Sequence, residues 1–293
     1  MKSLKQGLLI AAVVLSQPTW SCTEDGTEGF VPENNMKISV NAKRFGGLTE
    51  AQFNNAIERV EVLYAPIVAQ LGGKLVIDRA WDDATVNAYA QRSGSNWMVN
   101  MFGGLARHEA ITEDGMSLVV CHEIGHHIGG APTKASAYAS TWASNEGQSD
   151  YFSNLKCLRR TFLNDDNIAI VAAMNVPEAL TLACAKAWSS AEDKAICVRG
   201  GMAGDSVAKL FASLRNQPTP AKFDTPDRSA VSVTNDNHPA TQCRLDTYFQ
   251  GSLCEVNYND NVERNSEVAG VCHGSLGHKS GLRPTCWFKA KVQ

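Results

Sequence analysis

Val119-Val-Cys-His-Glu-Ile-Gly-His-His127 carries the pattern His-Glu-x-x-His at His122, Glu123 and His126. On an α-helix, residues four apart share a face, so both imidazoles can reach one tetrahedral metal ion. Glu123 then stands beside the coordination position that the protein leaves open. That is the chemistry of a hydrolytic zinc site, and it makes the helix that carries it the organising element of the fold. A pattern of five residues also arises on charged surface helices, so the surrounding sequence has to supply a third ligand.

Two sources compete. In the metzincin spacing H-E-x-x-H-x-x-G-x-x-H, Gly129 matches the glycine, but the position of the third histidine is Pro132, which cannot ligate. The other source is a glutamate on a following helix. Asn145-Glu-Gly-Gln-Ser-Asp150 offers Glu146 and Asp150 four apart on one helical face.

The pairing of His-Glu-x-x-His with Asn-Glu-x-x-Ser-Asp, twenty residues from His126 to Glu146, resembles thermolysin and the gluzincin metallopeptidases. The resemblance implies one zinc ion per chain, held by His122, His126 and Glu146. It makes Glu123 the general base and Asp150 the carboxylate that orients a ligand imidazole. Three flanking features, Asn87-Ala-Tyr-Ala90, a strand running from Asn96 towards Gly104-Leu105, and His238-Pro-x-x-x-x-Arg244, are similar to the HtpX and CAAX-prenyl-endopeptidase family. Within it, the soluble periplasmic branch with BepA-like proteases is the nearer likeness. The implied fold is α+β, mainly helical, with a small mixed sheet beside the active-site helix. By the same likeness His238 is catalytic, donating to the oxyanion without binding metal. That family has a longer insert before its third ligand, and the tail from Cys254 has no counterpart in it.

Around this centre the periodicity predicts a helix over residues 49–71, with Thr49-x-x-Gln52 as a capping box and Pro66 inside it. Short β-prone runs follow at 74–78, 86–90 and 96–102, the last able to pair with an extended peptide. Thr112 caps the His-Glu-x-x-His helix, and Gly129-Gly130 ends it. A second site helix is expected over about 143–162, and further helix through about Leu214. His238-Pro239 opens another, with Leu245, Tyr248 and Phe249 on one side. His127 points about 100° away from its ligand neighbour and is expected to pack. His273 and His278 are expected at the surface.

Residues 1–21 have a basic start at Lys2 and Lys5 and an apolar run too short to span a bilayer, so they predict a signal peptide. Cleavage after Ser21 and lipidation of Cys22 are both open, the second giving a membrane attachment. Residues 22–46 are expected to be a linker, 47–252 the metallopeptidase domain and 253–293 a cysteine-rich tail. Nine cysteines in an exported chain, periplasmic or secreted, imply disulfides. Short-range pairing suggests Cys184–Cys197, Cys243–Cys254 and Cys272–Cys286, leaving Cys121 with Cys157 and Cys22 alone. A net charge of -3 with no long basic run excludes nucleic acid as a partner.

The expected function is zinc-dependent hydrolysis of peptide bonds in an exported or unfolded polypeptide. A non-catalytic zinc-fold module that binds or chaperones exported proteins is the alternative, and a metal-free, disulfide-rich binding protein is a third. Oligomeric state has no signature in the sequence.

Overall fold

Thr49 starts α1, Glu50–Gln70, by accepting from the Gln52 amide while the Gln52 side chain returns to the Thr49 N–H. Phe53, Ile57, Val60 and Tyr64 line its buried face. The computed structural model describes residues 29–42, 46–135 and 140–290. The expected signal peptide and Cys22 lie outside the described residues.

Three strands follow: β1 Lys74–Ala80, β2 Ala88–Ser93 and β3 Asn96–Phe102. Their order is β1-β3-β2, with β1 parallel and β2 antiparallel to β3. The architecture is thus mixed helix and sheet, α+β, with helix the larger part. The sheet order corrects one expectation. Residues 96–102 cannot receive an added peptide strand, because β3 is central and both of its edges are paired. The outer edge of β2 is partly occupied as well, since the Ala88 carbonyl accepts the Phe30 N–H at 2.8 Å.

After a single turn, α2 Gly103–Ala106, comes α3, Glu113–Ile128. Thr112 caps α3 through the Gly115 amide at 3.0 Å, and Gly129 ends it. Every residue of α3 from Gly115 to His127 is buried, as in a helix packed on all sides. A hairpin of β4 Thr133–Ala135 and β5 Ser140–Ser144 leads into α4, Glu146–Phe152. A π-helical stretch, Ser153–Leu158, and α5, Arg159–Phe162, complete a rod over 146–162; the helix expected from about 143 starts later because 143 and 144 belong to β5. Then come α6 Asn167–Ala172, α7 Glu178–Ala187, α8 Ala191–Leu214 and α9 Thr241–Leu253. Among the described residues, no helix is long and apolar enough to cross a membrane.

Four disulfides join Cys121–Cys157, Cys184–Cys197, Cys243–Cys286 and Cys254–Cys272. The first two match the pairing expected from the sequence, and the last two correct it. Cys243 and Cys254 sit at opposite ends of α9, and at 1.5 Å per residue that separates them by roughly 16 Å, far beyond disulfide reach. Several disulfides fit an oxidising, extracellular type of environment.

Both ends of the described chain are packed into this body. Phe30, Val31 and Ile38, in the stretch expected to be a linker, are buried in the main core. Asn87 holds Val31 by accepting its N–H and donating to its carbonyl, each at 3.1 Å. In the tail, Trp287 is fully buried at the start of α4, where a Cβ on Gly147 would come within 2.2 Å of the indole. Only glycine fits that crossing.

Candidate metal centre

α3 and α4 cross closely enough that a Cβ on Gly125 would lie 3.1 Å from the Ser149 Cα. That crossing carries His122 and His126 against Glu146, the first residue of α4 after the cap Asn145. All three side chains are fully buried, and their ligating atoms lie within 4.8 Å of one another. His122 Nε2 is 3.3 Å from Glu146 Oε2, and His126 Nε2 is 3.7 Å from Oε1. Neither Nε2 and neither carboxylate oxygen has an aligned hydrogen-bond partner among the described residues. Buried polar atoms left this way are costly, and a cation among them would satisfy all of them together. Two imidazoles and a carboxylate are the donor set that suits zinc, so the residues fit the ion the motif implies.

The outer contacts fix the rings. His126 Nδ1 donates to the Ser144 carbonyl at 2.8 Å, which leaves the Nε2 lone pair facing the centre. His122 Nδ1 lies 2.7 Å from Asp150 Oδ1. Asp150 in turn accepts two bonds from Arg244, each at 2.8 Å, and one from the Tyr248 hydroxyl at 2.6 Å. Arg244 also donates to the Phe30 carbonyl, and the Phe30 ring meets His122 edge-on at 5.0 Å.

Burial alone would lower the His122 pKa, but Asp150, Glu146 and Glu123 outweigh it and push it up to about 9. His126, where burial dominates, falls to about 3. Glu123 is pushed up to about 8, first by burial, with His122 opposing and Glu146 adding to the rise. Its two oxygens are buried and have no hydrogen-bond partner among the described residues. Burial works to raise Glu146 too, yet His238, His126, His122 and Lys134 hold it well below the usual carboxylate range.

Comparisons of the chain with family models, with curated proteins and with solved structures find no match. The site's reading therefore rests on its residues and their geometry.

The structure brings every expected site residue to this place. His238 lies with Nε2 3.3 Å from Glu146 Oε2 and 2.7 Å from the Gly29 carbonyl. It stands in the loop before α9 and not on the helix. His127 packs as expected, stacking on Trp97 and Trp142, with its Nδ1 accepting from Arg92 at 3.3 Å. That stack ties the sheet, α3 and the β4–β5 hairpin together. Two contributors escaped the motif reading. Lys134 places Nζ 3.1 Å from Glu146 Oε1, and its signal was that it is the only charged residue between His127 and Glu146. Gly29-Phe30 belongs to no motif.

Proposed function

We propose that this protein is a gluzincin-like zinc endopeptidase of an exported compartment, cutting peptide bonds of exported or unfolded polypeptides. The supporting observation is the convergence of His122, His126 and Glu146, whose buried Nε2 and carboxylate atoms turn to one another without aligned hydrogen-bond partners among the described residues, with the buried carboxyl of Glu123 next to His122. Zinc bound there would polarise the scissile carbonyl and acidify water. Glu123, the buried carboxyl beside these residues, would take a proton from the attacking water and return it to the leaving amine. Asp150, itself clamped by Arg244 and Tyr248, keeps the His122 ring in orientation. His238 already offers Nε2 to a peptide carbonyl, that of Gly29, and in turnover would give the same bond to the oxyanion.

A second reading has its own observation. His122, Glu123, His126 and Glu146 are all fully buried, as in a closed metal centre that supports a binding or chaperoning module. Casein cleavage with and without chelator, beside zinc analysis, separates the two. Chelator-sensitive cleavage supports the peptidase; one zinc per chain without cleavage supports the module; no zinc overturns both.

A further inference from the structure

Four basic groups surround the Glu146 carboxylate, and the scheme above uses three of them. The fourth, Lys134, is the middle residue of β4, and strand alternation turns it inward while Thr133 and Ala135 face out. Its side chain is 9% exposed, and its ammonium rests on Glu146 Oε1 at 3.1 Å. The Thr141 hydroxyl holds its backbone carbonyl at 3.1 Å, which fixes the strand on the opposite arm of the hairpin.

We propose that Lys134 makes this centre a receptor for a carboxylate of the polypeptide ligand, either the chain terminus or an acidic side chain. The inference rests on the reading of His122, His126 and Glu146 as metal ligands and deepens it. Charges in an enclosure closed to water have to be compensated locally. Arg244 and Asp150 cancel each other through their two-pronged bond. Lys134 and Glu146 offset each other through a single ion-pair contact at 3.1 Å. A divalent cation at the three ligands would then face Glu123 alone, leaving one positive charge unmatched. Without Lys134, the cation would be balanced by Glu146 and Glu123 together. Asp236 is only half-buried, so water screens its charge from the enclosed centre; it accepts from the Ala135 N–H and the Asn145 side-chain amide, each at 3.0 Å. A ligand with a single negative charge completes the balance that Lys134 upsets.

Cobalt(II) substitution tests this without turnover, because ligand binding at the metal changes the visible absorption of the ion. The cobalt-loaded protein is titrated with N-acetylalanine, which offers a terminal carboxylate, with N-acetylaspartic acid α-amide, which offers a side-chain one, and with neutral N-acetylalanine amide. Wild type and Lys134→Arg should bind at least one acid and not the amide, and the tighter acid identifies the source. Lys134→Met should take up cobalt equally but bind that acid about tenfold to a hundredfold more weakly. Equal acid affinity in Lys134→Met, or equal binding of acid and amide by wild type, would overturn the inference while leaving the metal reading intact. Loss of cobalt from Lys134→Met alone would overturn it in favour of a role in assembling the site. Failure of wild type to take up cobalt would overturn the metal reading itself, and this inference with it.

Discussion

Asp150 accepts from Arg244 and Tyr248 and lies against His122, all out of contact with water, so single substitutions around it have large expected effects. Arg244→Met leaves the Asp150 charge buried without its main partner, and urea unfolding at neutral pH should show a loss of about 3–5 kcal/mol. Burial pushes the Asp150 pKa up, but Arg244 and His122 outweigh it and hold it below the usual range. A carboxylate lowered in the folded state stabilises above its unfolded pKa, and that contribution disappears as pH falls through the folded value. The gap between wild type and Arg244→Met, measured without metal, should therefore narrow on acidification below about pH 4. A gap independent of pH would mean that Arg244 acts through packing alone. For catalysis, Glu123→Gln should keep zinc and fold while lowering kcat by about a hundredfold to ten-thousandfold; an active variant rules out Glu123 as the base. His238→Ala should lower kcat by on the order of a hundredfold to a thousandfold with zinc content unchanged. Loss of zinc in that variant would make His238 a ligand.

Among the elements, the joint between α3 and the rod after Glu146 carries the site, and Cys121–Cys157 fastens it one residue from His122. With a separation of 36 residues, replacing both cysteines by serine should cost about 3–4 kcal/mol. Faster zinc loss to a chelator should accompany it; an unchanged loss rate would show that packing alone aligns the ligands. Helices could be read from the sequence because caps and apolar spacing are local: Thr49 and Gln52 for α1, Thr112 for α3, and the apolar stripe for the rod, which starts at the Asn145 cap, after β5, later than expected. The proximity of His122 and His126 was legible in the same way, while Glu146 was added by the resemblance to the gluzincin pattern, and the three do come together. What was not legible is long-range. The alternation of residues 96–102 marks a strand but carries no information on which strands flank it, so the central place of β3 was missed. Cys243 pairs with Cys286 because the tail folds back over α4, and no periodic pattern in that tail announces the return. Lys134 reaches Glu146 by way of a hairpin that only the finished fold brings near.

For the whole molecule, eight of the nine cysteines are paired, so thiol titration of native protein before reduction should find at most one reactive group. Several free thiols would contradict an oxidising compartment. Phe30 bears on a different matter, the order of events in time. A chain is synthesised from its N-terminus, and early segments usually settle first. Phe30 is made early, yet the groups that enclose it, His122, Phe211 and Arg244, come tens to hundreds of residues later. Its backbone can pair with β2 once residues 87 and 88 are made, but its ring is not fully enclosed until Phe211 and Arg244 have been delivered. Contacts spanning such distances are slow to form. The wall that Phe30 lays against His122 would accordingly be among the later parts to close, so the imidazoles of the candidate centre stay open to solvent until that stage.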